Sequence, residues 1–232
     1  VLGPVKTSQV WAWGAAGKHP VARDYISIGS RSPVLGAFMN WVESGYSKLT
    51  ARPVQACSYR FWARGARRQD LVCGLLRDSS DAIGRAFPFL VLGTGPLTGW
   101  EETWELLPYV LEGIWARMEY LTNKRAYDLG SLERDVALLP HPTLFQGAGT
   151  SPKQAIEGEL KPLLNAAECY LPLEGRDNED PADALSLWHD RIKASIAEAP
   201  NAIFMGGLPD RTHLALYRRP LNSDDFVRLW SL

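Results

Sequence analysis

Three short apolar runs crowd into fewer than forty residues of this 232-residue chain: CSYRFWAR (57–64), DLVCGLLR (70–77) and FPFLVLG (87–93). The first two are joined by GARRQ alone, a hairpin-length connection that favours antiparallel pairing. CSYRFWAR alternates in part, with Tyr59, Phe61 and Ala63 on one side and Arg60, Trp62 and Arg64 on the other. The other two runs are continuously apolar, as strands covered on both faces are. A sheet with elements packed against both faces is the expected frame.

The remaining segments fit that frame. Residues 9–13 read as a strand ending in the turn GAAGKHP (14–20). RSPVLGAFMNWVESGY (31–46) reads as a helix, capped by Ser32, with Pro33 in its first turn and Gly45 at its stop. GWEETWELLPYVLEGIWARMEYL (99–121) carries apolar residues at helical spacing, with a Thr98–Glu101 capping box and a kink expected at Pro108. Two more helices are expected, over 151–171 and from Pro181 onward, with an acidic mobile loop at 172–181 between them. NAIFMGG (201–207) and HLALYRR (213–219) read as a hairpin, and Ser223 caps a last helix, DDFVRLW (224–230). Together these predict a single domain over residues 1–232: a three-layer α/β/α sandwich on a mixed, largely antiparallel sheet.

Composition excludes several classes of function. The net charge of −1 gives no bulk attraction to nucleic acid or an anionic membrane. No apolar stretch approaches the ~20 residues of a spanning helix, and the N-terminus has no signal-peptide pattern. Cys57, Cys73 and Cys169 are widely spaced and odd in number, which argues for buried reduced thiols and a cytoplasmic setting. Nine tryptophans are ample material for a core, and some suit a protein-binding patch.

The chemical motifs mostly fail. A phosphate loop at GAAGKHP would need glycine at Ala12 and a hydroxyl at His19, so no nucleotide is expected. His19, His141, His189 and His213 lack metal-ligand spacing, and no nucleophile elbow is present, so neither metal nor other cofactor is expected. Arg60, Arg64, Arg67 and Arg68 form a basic cluster, read either as a solvated hairpin tip or as a contact for an acidic or phosphorylated partner. Lys18 and Asp24 bracket one turn, while Asp81, Arg85 and Pro88 bracket another. Ion pairs pinning loops account for both.

Taken together, these two segments resemble the TagF (ImpM) family of type VI secretion-associated proteins. The first family block is matched by Gly17, Lys18, Pro20, Asp24 and Tyr25, followed by Phe38 and Trp41. The second, S-x-D-x-x-G-R-x-F-P, is matched by Ser79, Asp81, Gly84, Arg85, Phe87 and Pro88. The likeness spans residues 10–92, loosens over IFMGG (203–207) and is absent from 150–185. His19 and Arg23 stand where the family usually has leucine and glycine.

The resemblance implies a non-enzymatic regulator in a bacterial cytoplasm. Such proteins act after translation to hold the secretion apparatus inactive, in the pathway of threonine phosphorylation and the forkhead-associated scaffold Fha. Type VI secretion proteins are therefore the expected partners, with no nucleic acid and no membrane insertion. Two other classes are compatible with the residues: a structural or accessory subunit of the apparatus, and a hydrolase using Asp24 and Asp81 as paired carboxylates beside Lys18 or Arg85.

Overall fold

Eight strands hydrogen-bond side by side in one sheet, in the order β2-β1-β5-β4-β3-β7-β8-β6. In chain order the elements are β1 (Ala12–Gly17), β2 (Ile26–Gly29), α1 (Pro33–Tyr46), β3 (Ser58–Arg64), β4 (Asp70–Arg77) and β5 (Phe89–Pro96). A 3-10 turn (Trp104–Leu106), α2 (Leu107–Asn123), α3 (Leu129–Ala137), β6 (Glu168–Pro172) and α4 (Pro181–Ser195) follow. β7 (Ala202–Leu208), β8 (Arg211–Tyr217) and α5 (Ser223–Ser231) complete the series. This computed structural model describes residues 11–50, 55–123, 128–144, 166–173, 181–196 and 198–232.

The α/β class and largely antiparallel sheet stand as expected, and all seven pairings among these strands are antiparallel. Side chains of successive strand residues point to opposite faces, and here they enter two cores. Trp62, Leu71, Cys73, Leu75 and Val91 join Leu111, Trp115 and Met118 of α2, Leu132 of α3 and Ile192 of α4. Tyr59, Phe61, Val72, Leu76 and Leu90 join Met39 and Val42 of α1 and Phe226, Leu229 and Trp230 of α5. Trp41 packs in the second core against Phe204 and Phe226, and donates its indole N–H to the Asn222 carbonyl at 2.7 Å. The alternation read in CSYRFWAR is therefore correct for its apolar members.

Several boundaries move, each for a local reason. β1 runs through the glycine-rich segment to Gly17 rather than ending before it; Gln9 and Val10 lie outside the described residues. At Gly14 a Cβ would lie 2.6 Å from the Ser30 carbonyl oxygen, so glycine permits the close passage of β1 along the chain beyond β2. β2 and α3 went unread, being short elements of four and nine residues. Gly45 lies inside α1 rather than stopping it, because a Cβ there would sit 2.6 Å from Phe226 Cγ. Ser32 and Pro33 do open α1, the Ser32 hydroxyl accepting the Leu35 N–H at 3.1 Å.

Pro108 does not kink a long helix. It sits in the first turn of α2, where its missing N–H costs nothing, and Thr98–Glu101 forms turns instead of a cap. Glu168–Pro172, expected to hold the end of a helix at 171 and the start of the acidic loop at 172, pairs with β8 as an edge strand. The rest of that helix, 151–165, and most of the acidic loop, 174–180, lie outside the described residues. Asn222, not Ser223, caps α5, in a reciprocal box with Asp225.

His189 ties α4 to the sheet. It accepts the Trp62 indole N–H at 3.2 Å on Nε2 and is bonded to the Leu185 carbonyl at 2.8 Å through Nδ1. Burial pushes its pKa down to about 4, against the raising effect of that carbonyl. The unfolded chain, with an ordinary histidine near 6.5, binds the proton first. Stability should be complete above pH 6.5 and fall by on the order of 3 kcal/mol as pH drops to about 4. Chemical denaturation at pH 7 and pH 4.5 should show this loss in the wild type and a much smaller one in His189→Gln.

Candidate functional site

β1 and β5 pair in a register that sets Gly17 opposite Phe89. That pairing brings two loops together: residues 18–25, which leave β1, and residues 78–88, which enter β5. Gly17 has φ +125, and its Cα faces the Pro88 carbonyl with no room for a side chain. The backbone conformation and the close approach both require glycine here. The Ala82 N–H then donates to the Ala22 carbonyl at 2.8 Å, joining the loops through main chain.

Asp81 is the hub, and its side chain is sealed from solvent. Its Oδ1 accepts the Ile83 and Arg85 N–H groups at 3.2 and 2.9 Å. Its Oδ2 accepts Arg85 Nε at 2.7 Å and pairs with Lys18 Nζ at 3.3 Å. Burial alone would raise the carboxyl, but the two backbone N–H groups, Arg85 and Lys18 prevail and hold it down to about 2. Arg85 also donates to the Arg23 carbonyl at 2.6 Å and lies 3.4 Å from the exposed Asp24 carboxylate. One guanidinium thus bridges both loops.

The other motif residues support this clamp. Asp24 accepts the Tyr25 N–H at 2.8 Å, and the Ser79 carbonyl accepts the Phe87 N–H at 3.0 Å. Gly84 has φ +83 with open space around its Cα, so backbone conformation rather than crowding selects glycine. The Phe87 ring meets Tyr25 at 6.1 Å and Tyr46 at 5.0 Å between centroids. Pro20 is exposed, and Pro88 is buried. His19, where the family usually has leucine, is buried like one, its ring 5.0 Å from Phe89 and its Nδ1 accepting the Val21 N–H at 3.2 Å. Burial and the nearby Arg77 charge lower its pKa, so the ring is neutral as leucine would be.

A pocket of about 340 Å³ opens beside the clamp, lined by His19, Pro20, Arg77 and Ser79 among others. Arg77 already donates there to Thr122 and Asn123 at 3.1 and 2.6 Å, closing the end of α2. The three cysteines are buried free thiols, and burial raises Cys57 to about 12. Among the described residues no group of His, Cys, Asp and Glu side chains is arranged to hold a metal, and no helix is long and apolar enough to cross a membrane.

The four arginines of the β3–β4 hairpin separate. Arg60 donates to both Glu112 and Glu119 on α2 at 2.7 Å, and Arg64 donates to Glu101 at 2.7 Å and to the Ala199 carbonyl at 2.6 Å. Arg68 is exposed and lies 3.2 Å from Glu101, and Arg67 is exposed. Sequence reading looked for acids along the hairpin, whereas Glu101, Glu112 and Glu119 lie 33 to 59 positions from the arginines they meet and Ala199 lies 135 from Arg64. It also missed Ile83, which stands 63% exposed at the tip of the loop that Asp81 holds. The signal was an apolar residue inside an otherwise polar turn, DSSDAIGR.

Three substitutions test the clamp. Asp81→Ala should lower the melting midpoint by several degrees, because it leaves Lys18 and two backbone N–H groups without their acceptor. Arg85→Ala should cost less, since that side chain is half exposed and Lys18 stays on the carboxylate. With a folded-state value near 2 against an ordinary 3.8, Asp81 contributes stability above pH 3.8 that is lost as pH falls toward 2. Asp81→Asn should flatten that last acid limb without touching the earlier His189 phase.

The fold and these motifs have known counterparts. The crystal structure of PA0076 from Pseudomonas aeruginosa PAO1 superposes with a TM-score of 0.58 over 94% of this chain and 93% of that one, at 21% sequence identity, which is a likeness of fold. No functionally curated protein matches the chain. The model of the TagF N-terminal domain, type VI secretion system-associated, matches residues 14–137, more than half of the sequence and the whole of the Asp81 clamp. This chain belongs to that TagF family of type VI secretion-associated proteins.

Proposed function

We propose that this protein is a non-enzymatic, post-translational repressor of a bacterial type VI secretion system, acting in the cytoplasm by binding a forkhead-associated scaffold. The observation that carries the reading is the use made of Asp81. The most constrained carboxylate of the family motif is sealed from solvent and spends both oxygens on loop shape. Arg85 stands between Asp81 and Asp24, so the two carboxylates do not share an open cleft, and this weighs against hydrolysis. A protein that works by occupancy needs a fixed surface rather than a reactive group.

The exposed pair Arg67 and Arg68 is proposed as a minor electrostatic part of the contact. Such a contribution weakens with salt, because the Debye length falls from ~10 Å at 0.1 M to ~3 Å at 1 M.

Deletion should release type VI secretion and overproduction should suppress it, in both cases with unchanged transcript levels. Normal secretion in both strains would remove the repressor reading, and loss of secretion on deletion would favour an accessory subunit of the apparatus. Titration against the purified scaffold at two ionic strengths should show salt-weakened binding, reduced in Arg67→Glu/Arg68→Glu. Binding indifferent to salt and to that reversal would remove the arginine contribution alone.

A further inference from the structure

His19 is 2% exposed and carries a donor that the fold does not answer. Its Nδ1 accepts the Val21 N–H at 3.2 Å, so the proton of the neutral ring sits on Nε2. With Nδ1 turned to its own loop, Nε2 faces the end of α2 and Arg77. The Leu121 carbonyl is near enough to act on the ring, yet no acceptor lies within hydrogen-bond reach of Nε2 among the described residues. A buried donor left in that state costs free energy that a leucine in the same space would not. His19 also forms part of the wall of the pocket of about 340 Å³ beside the clamp. A group bound there is what Nε2 lacks.

Arg77, in the same wall, is half-buried and incompletely used. Its Nη1 is spent at the end of α2 on the neutral oxygens of Thr122 and Asn123. Its Nε and Nη2 meet no acceptor, and no carboxylate pairs with it, among the described residues. The two acids that act on it from a distance are committed elsewhere. Asp78, also in the wall, accepts the Cys57 N–H at 2.9 Å and the Trp230 indole N–H at 2.8 Å, one on each oxygen. Glu119 gives both oxygens to Arg60, at 2.7 and 3.0 Å. Burial prevails over their pull and lowers the Arg77 pKa. Ser79 and Ser80 complete the set, and neither hydroxyl has a hydrogen-bond partner among the described residues. The pocket therefore offers spare donors, and its one carboxylate is spent.

Donors without acceptors, on a guanidinium without a counter-ion, call for an oxyanion. The volume falls in the ~300–1,000 Å³ range of small-molecule sites, which leaves room for an organic body beyond the anionic group. We infer that this pocket binds a small organic oxyanion, a carboxylate or a phosphate ester. Arg77 Nε and Nη2 grip two of its oxygens side by side, and His19 Nε2–H donates to the same group. The ligand would join the loop after β1, the end of β4 and the end of α2. The site stands apart from the repressor reading and needs no partner protein.

Calorimetric titration of the purified full chain tests it, with glycerol 3-phosphate and succinate as the two probes. At least one should bind one-to-one with a dissociation constant below ~1 mM. Binding of glycerol 3-phosphate alone assigns a phosphate ester, and binding of succinate alone assigns a carboxylate. Arg77→Gln and His19→Leu should each weaken the bound probe about tenfold or more, whereas Arg117→Gln, which removes an exposed cation from α2, should leave it unchanged. His19→Leu keeps Arg77 and its contacts with α2, so it decides the matter if Arg77→Gln fails to fold. No binding of either probe at ten times that concentration overturns the site and leaves an internal water as the partner of Nε2. Affinity within twofold of wild type in either folded pocket variant overturns the assignment. Equal weakening in Arg117→Gln would reduce the binding to general surface charge and overturn it as well.

Discussion

The carboxylate of Asp81 is removed from water and answered on every side, by two backbone N–H groups, a guanidinium and an ammonium. An ionised carboxylate in such a place is costly unless its partners are complete. Completeness here depends on distant pieces of chain arriving together. Lys18 comes from the end of β1 and the remaining donors from the loop before β5, and only the antiparallel register of those strands makes them neighbours. The clamp and the sheet edge are therefore mutually dependent, and the loop surface inherits its rigidity from both.

A second ionic cluster does comparable work at the opposite end of the strand order. Arg219 joins Glu168 on β6 to Asp225 in the first turn of α5, and Arg228 reaches back to Glu168 at 2.8 Å. The last turn of α5 is tied down by the Tyr59 hydroxyl on the Leu229 carbonyl at 2.6 Å and the Trp230 indole on Asp78 at 2.8 Å. These contacts link the C-terminal helix to β3 and to the chain after β4. β7 pairs with β3 along its length, so the region beyond the matched family domain completes the sheet that the matched region begins.

The arginines show how tertiary structure redistributes charge that looks like a patch in sequence. Arg60 and Arg64 share the Trp62 face of β3, where α2 and the turn before it supply Glu112, Glu119 and Glu101. Cationic side chains at the edge of a core are held there because carboxylates meet them, and their stems cover apolar surface. Arg60 in addition lies 5.9 Å over the Trp115 ring. Only the tip of the hairpin keeps its positive charge in solvent.

Local chemistry made much of this protein legible without coordinates. A partly alternating run and a continuous apolar run with a five-residue connection meant adjacent antiparallel strands, a Ser-Pro pair opened α1 where it should, and Gly17, Lys18, Asp81, Gly84 and Arg85 carried the family likeness. These signals are short-range: turn conformation, capping and strand period act over a few residues. What sequence left open was set by contacts between segments far apart. Gly45 is a packing notch for Phe226 rather than a helix stop, because the two meet only when α5 docks on α1. Glu168–Pro172 became a strand because β8 offered it an edge. Asp81 and Lys18 could be seen as charges in two turns, but that they share one buried site, and that Ile83 is thereby held out in water, follows from the register of β1 against β5.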